Sequence, residues 1–214
     1  EVRTSHTIAM HLKKLGIPVR TGIAIHGVLA TIQGAKAGNS IVVRSDIDAL
    51  PIPEANDVSY RSKNNGVKHA CGHDAHITIG LGVAELLWKR RQNLAGTVYM
   101  LFQPAEEGPP PGETGGAALM ISEGLLDTLK PDLMFALHAM PEHRVGAVSV
   151  VHGPEMASAD RFRLVIKGKG SHGASPHAGI DPIMISAQII NALQTIDSRR
   201  IDPIEPVVVT IGTI

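Results

Sequence analysis

Within eight residues, His69-Ala70-Cys71-Gly72-His73-Asp74-Ala75-His76, the chain places its only cysteine, three histidines and a carboxylate. No packing or turn requirement calls for that mixture. A thiolate and an imidazole two residues apart can grip one metal ion, or share two, if the loop between them is tight. Gly72 permits such a loop because it lacks a Cβ. Cysteine, histidine and carboxylate together suit Zn²⁺ or its neighbours. An isolated C-x-H motif is weak, because a buried structural cysteine reads the same way, and on this segment alone both readings stand.

Other residues of the same kinds recur at comparable places. Asp46 and Asp48 follow the apolar run 41–43, Glu106 and Glu107 follow the run 97–102, and His138 interrupts the apolar run 134–140. Each lies just past the end of an expected strand, where open α/β sheets bind their ligands. Adjacent acids usually mark a solvated loop. Beside a metal they can divide the labour, one ligating while its neighbour takes the proton from an activated water. A histidine such as His138 also reads as an ordinary strand-end residue, and His172, near Gly170 and Gly173, as part of a simple turn. His69 and His76 flank the site and are candidates to support its ligands from behind, and His6, His11, His26, His143, His152 and His177 read as surface residues.

The elements that must position these groups follow from periodicity. Helical spacing runs through Ile8, Leu12 and Leu15 and stops at Gly16 and Pro18. Strands are expected at 27–33, 41–43, 97–102, 132–137 and 147–151, with helices at 74–91 and 115–126. Strands alternating with helices predict an α/β fold, a mainly parallel sheet with helices on both faces, over residues 1–156. The pattern changes near Pro154. Residues 161–167 alternate polar and apolar, a glycine-rich loop follows at 168–173, Asp181-Pro182 opens a helix to about residue 197, and 207–214 reads as a strand. A second, α+β domain is therefore expected to begin at residue 157 and occupy 157–214.

Composition narrows the function classes. The chain has 214 residues, 20 basic and 20 acidic, with 43% hydrophobic and 19% charged residues. Without a Lys/Arg block, nucleic-acid binding has no electrostatic footprint. One cysteine cannot form an internal disulfide, and no signal peptide or apolar span is visible, so a cytoplasmic protein without membrane contact is expected. The chain opens on Glu1 and closes on a β-rich run, so it reads as a fragment. The P-loop spacing, a G-x-G-x-x-G and a G-x-S-x-G elbow are all missing. A thiol nucleophile would need neither His73 two residues away nor a carboxylate pair.

Several motifs together carry a family resemblance. They are Arg44-Ser-Asp46-Ile-Asp48-Ala-Leu-Pro-Ile, His69-Ala-Cys71-Gly-His73-Asp74-Ala-His76, Phe102-Gln-Pro-Ala-Glu106-Glu107-Gly and Leu137-His138-Ala. Met156-Ala-Ser-Ala-Asp160-Arg-Phe, Gly168-Lys-Gly-Ser-His172-Gly-Ala-Ser-Pro-His and Leu193-Gln-Thr-Ile-Asp-Ser-Arg199 follow in order. Over nearly its whole length the chain resembles the N-acyl-amino-acid amidohydrolases. That group includes hippurate hydrolase, bacterial aminoacylases and plant auxin-conjugate hydrolases, within the metallopeptidase superfamily of aminoacylase and carboxypeptidase G.

The resemblance implies a two-metal hydrolase of N-acyl amino acids, with an α/β catalytic domain and an inserted lid that also makes a homodimer. Cys71, His73, Glu107 and His138 would be metal ligands and Glu106 the general base. Cys71 would stand where other members use a bridging aspartate. Asp48 would orient a ligand histidine, and His172 would stabilise the oxyanion, reaching in from the lid of the partner subunit. Two divalent ions are implied, with Zn²⁺ favoured by thiolate and imidazole and Mn²⁺, Ni²⁺ or Co²⁺ open. The family's fifth ligand, a histidine near its C-terminus, has no counterpart in this sequence, and Arg200 stands where many relatives carry an amide. A dipeptidase of the same superfamily and a non-catalytic truncated module are the alternatives.

Overall fold

A computed structural model of the chain describes residues 1–153 and 155–214. The change of pattern near Pro154 thus falls at a residue outside the described ones. There are two compact units, Glu1–Val148 and Ser149–Ile214. The first contains α1 (Val2–Lys14), β1 (Val19–Ile23), β2 (Gly27–Gln33), β3 (Lys36–Asp46), α2 (His73–Lys89), β4 (Ala95–Gln103), α3 (Gly116–Ser122), α4 (Leu125–Leu129) and β5 (Leu133–Ala136). Its strands form one sheet in the order β1-β2-β4-β3-β5. β3 pairs parallel with both β4 and β5, whereas β2 runs antiparallel to β1 and β4. The α/β class holds, and the sheet is mixed, with its parallel pairing concentrated on the β4-β3-β5 side that carries the motifs.

Strand periodicity of two explains how both faces are covered. Val28, Ala30 and Ile32 of β2, with Met100 and Phe102 of β4, pack against Ile8, Ala9 and Leu12 of α1 and Ala84 of α2. The alternate residues Leu29 and Leu101 face the other way, with Val42, and pack against Met120 of α3 and Leu125 and Leu129 of α4. Burying each of the larger side chains among these fully contributes about 1.5–3 kcal/mol, so the two clusters fix the helices to the sheet. Gly80 brings α2 close. A Cβ there would lie 2.5 Å from Ser45 Oγ and 3.1 Å from Phe102 Cε1.

Some elements differ from the sequence expectation. β1 has only five residues, one of them Gly22, too few for alternation to stand out. The helix expected at 115–126 breaks at Gly124 (φ 74°) into α3 and α4. The expected strands at 147–151, 161–167 and 207–214 belong to no β ladder among the described residues. Val148, Val150, Leu164, Val165 and Val208 are exposed. Alternation and β-branching record a preference for extended backbone, but a strand forms only when a neighbouring backbone supplies the ladder.

In the second unit, the helix expected from residue 182 is present as α5 (Pro182–Leu193), followed by α6 (Thr195–Arg200). Asp181 Oδ1 accepts the Ile183 and Met184 N–H groups at 2.8 and 3.3 Å, and Pro182 occupies the first helical position, where no N–H is needed. Among the described residues, no helix is long and apolar enough to cross a membrane.

Candidate metal centre

The parallel strands end in register. Asp46 of β3 sits opposite Gln103 of β4, and Arg44 sits opposite Ala136 of β5. The segments that follow them therefore emerge side by side, carrying Asp48, Glu106-Glu107 and His138. α2 adds His73 and His76, which lie three residues apart in its first turn and so share a face. Gly72, just before α2, has φ 88°, a left-handed conformation that turns the chain sharply between Cys71 and His73 and that residues with a Cβ rarely adopt. Ala105, leading into the two glutamates, also has positive φ (47°), and its N–H is held by Glu1 Oε1 at 2.9 Å.

His73 is 1% exposed. Its Nδ1 lies 2.9 Å from the Asp48 carbonyl oxygen and 3.0 Å from Asp48 Oδ1, both acceptors, so Nδ1 carries the proton and Nε2 the lone pair. Nε2 is buried with no hydrogen-bond partner. The carboxylate oxygens of Asp46 and Glu106 are 3.8 Å away, too far to bond it. Across the site, Cys71 Sγ lies 3.3 Å from His138 Nε2. Asp48 also accepts the Glu107 N–H through Oδ2 at 2.9 Å, so one carboxylate fixes both a histidine ring and the loop of the glutamates.

These groups fit a cation. One ligand atom each from Cys71, His73 and His138 lies within 4.8 Å of the others, as do atoms of His73, Glu106 and Glu107, so the two sets meet at His73. Tetrahedral coordination with bonds of about 2.0–2.3 Å separates ligand atoms by about 3.3–3.8 Å, which matches the Cys71–His138 spacing. Charge points the same way. Asp46, Asp48, Glu106 and Glu107 gather here, and Arg44 lies beside two of them, its Nη1 2.8 Å from Asp46 and its Nη2 3.6 Å from Glu106. The Cys71 thiol is pushed up to about 11, first by burial, then by its hydrogen bond to Glu107 and by the charges of Glu107, Glu106 and Asp46. A thiol held protonated by burial, with carboxylates adding to the effect, sits in a site short of positive charge, and a divalent ion would reverse that balance.

A third group of potential ligands, Asp46, His73 and His76, is buried throughout. Both His76 nitrogens are already bonded, to Asp46 Oδ1 at 2.6 Å and to the Ala139 N–H at 2.8 Å. The six residues singled out in the first unit, Asp48, Cys71, His73, Glu106, Glu107 and His138, thus converge. His172 lies in the second unit on an exposed turn, where its carbonyl accepts the Ser175 N–H at 2.7 Å and its Nδ1 the Ala174 N–H at 3.1 Å. His69 Nδ1 is buried without a partner, and the residue joins none of the three groups. Sequence reasoning gave Arg44 no role, and it named His76 only as a residue flanking the site that could support its ligands, without a partner. The available signal was alternation, since Arg44, Asp46 and Asp48 fall on one side of an extended segment.

Comparison with known proteins points to one family. The profile of Peptidase family M20/M25/M40 matches residues 42–212. Thermostable carboxypeptidase 2 of Saccharolobus solfataricus is 44% identical over the whole of this chain, which covers 53% of that protein. N-acetyl-L-cysteine deacetylase of Bacillus subtilis is also 44% identical over the whole chain, which covers 50% of it. The crystal structure of a Bacillus subtilis protein described as a dinuclear metal binding peptidase from the M20 family superimposes with a TM-score of 0.68 at 35% identity. The match covers 91% of this chain and 50% of that one. The chain spans about half the length of the curated relatives it matches. With a family profile aligned to most of its residues and relatives similar from end to end, the chain belongs to peptidase family M20/M25/M40.

Proposed function

We propose that this chain supplies the metal-binding part of an amidohydrolase that splits N-acyl amino acids into a carboxylic acid and a free amino acid. The observation that carries the reading is the His73 ring, whose Nε2 is buried and unbonded between the Cys71/His138 pair and the two glutamates. The relatives' names support the substrate class, because a deacetylase of N-acetyl-L-cysteine and a carboxypeptidase both release an amino acid by amide hydrolysis.

In this reading Cys71, His73, Glu107 and His138 would hold two divalent ions, and Zn²⁺ is the best match to thiolate and imidazole. Bound ions supply Lewis acidity, which lowers the pKa of a water and polarises the scissile carbonyl. The chain's own groups do the rest. Asp48 fixes the His73 tautomer, so that Nε2 faces the site. Glu106, exposed where Glu107 is half-buried, takes the proton of the attacking water as the new C–O bond forms. It returns that proton to the amine nitrogen as the C–N bond breaks. His172 donates to the developing oxyanion, reaching in from the lid of a partner subunit. Residues 1–156 then belong to the catalytic domain and 157–214 to a lid through which the protein forms a homodimer. The single cysteine suits a reducing compartment such as the cytoplasm.

The test is Glu106→Gln in the protein that carries this chain, assayed by amine release from N-acetyl amino acids. Loss of turnover with metal content retained is expected; turnover within about tenfold of the parent would remove Glu106 as the base. The carboxypeptidase relative favours a second reading, a peptidase that accepts a free α-amine, and faster cleavage of unblocked dipeptides than of their N-acetylated forms would select it.

A further inference from the structure

Asp46 and His76 are fully buried, yet the metal reading gives neither a ligand role. The Ala139 N–H donates to His76 Nε2 at 2.8 Å, so that nitrogen carries a lone pair and the ring proton sits on Nδ1. Nδ1–H donates in turn to Asp46 Oδ1 at 2.6 Å. The other carboxylate oxygen accepts from Arg44 Nη1 at 2.8 Å, and Arg44 Nε donates to Gln103 Oε1 at 2.9 Å. Both Asp46 oxygens and both His76 nitrogens are thereby occupied. Burying a carboxylate is costly unless it is paired and bonded in this way.

The outer end of this chain of bonds explains its place in the fold. Ala139 follows His138 in the exposed segment after β5, while His76 is anchored on α2, one turn from His73. The bond from Ala139 to His76 ties the exposed segment to the buried interior. His138 Nδ1 lies 2.9 Å from the Ala139 carbonyl, which leaves Nε2 toward Cys71 Sγ at 3.3 Å. Beneath it, Arg44 holds Asp46, Asp46 fixes the tautomer of His76, and His76 holds the peptide next to His138.

We infer that Arg44, Asp46 and His76 are positioning residues that hold the His138 imidazole over Cys71 by anchoring the Ala139 amide to the buried interior. The inference rests on the metal reading above, with His138 as a ligand, and the three residues act through it.

Titration with Co²⁺ alone, followed by the thiolate-to-cobalt absorption band, tests this on the intact chain. His76→Asn keeps the donor near Asp46 but cannot reach Ala139, whereas His76→Gln carries an acceptor out to the place of Nε2. The expected results are a 10–100-fold loss of Co²⁺ affinity in H76N and recovery of most of it in H76Q. In a His138→Ala background, H76N should cause no further loss. Hydrogen exchange at the Ala139 amide should be slow in the parent and fast in H76N without any metal. Parent-like affinity in H76N, or losses that add to those of H138A, would overturn the inference while the metal reading stands. If H76N does not fold, Ala139→Pro deletes the same donor from the exposed side, and unchanged Co²⁺ affinity there would overturn it equally. A parent chain with no Cys71-dependent band overturns the metal reading and this inference together.

Discussion

The protonated thiol in a nest of carboxylates makes a quantitative prediction about pH. Cys71 is raised to about 11, with burial as the largest cause and the Glu107 hydrogen bond next. At pH 7 only about one such thiol in 10⁴ is ionised, against roughly one in 100 at the unperturbed value of 9.0. A cation must therefore displace the Cys71 proton, and apparent affinity should climb about tenfold per pH unit until the thiol's own titration is reached. Between about pH 7.5 and 9, above the ordinary range for imidazole, the gain should be roughly 30-fold, with one proton released per chain. Competition against a chromophoric chelator measures the affinity. Calorimetry in two buffers of different ionisation enthalpy counts the proton. Cys71→Asp substitutes a ligand that is already ionised, so its affinity should be nearly flat over the same range. A flat profile in the parent, or the same slope in C71D, would refute the reasoning.

The same shift has the opposite sign for the metal-free fold. Because the folded thiol holds its proton up to about 11, against an unperturbed value of 9.0, Cys71 contributes stability that is complete below about pH 9. That contribution is lost as pH rises through 11, so thermal melts of the apo chain should fall more steeply over this interval than those of Cys71→Ala. Asp48→Asn keeps the side-chain shape but removes the charge that accepts from both His73 and the Glu107 amide, and should cost about 10–100-fold in metal affinity by titration. Gly80→Val drives side-chain atoms into Ser45 and Phe102 and should destabilise the fold by about 1–3 kcal/mol in chemical denaturation, with α2 displaced from the strand ends.

How much of this was legible in the sequence depended on whether a residue's role is local. The metal-type side chains announce themselves, because Cys71 and His73 are joined by one glycine and the two glutamates are adjacent. The apolar periodicity of β2, β4 and α2 likewise sets their faces without reference to distant chain. The Arg44–Asp46–His76 connection is not local. It needs β3 and α2 to be brought together by Gly80, and no spacing rule pairs residues 30 apart. The segments 147–151, 161–167 and 207–214 mislead for the complementary reason. Their composition favours extended backbone, while membership of a sheet is decided by a partner that composition does not reveal.

The central claim is that Cys71, His73, Glu107 and His138 surround divalent ions, and element-resolved metal content per chain tests it most directly. The parent chain, reconstituted with Zn²⁺ and freed of loosely bound metal, should retain at least one ion per chain. Cys71→Ser and His73→Ala should each lose most of it while keeping the circular dichroism of the parent. Metal retained equally by all three, or bound by none of them, would contradict the account.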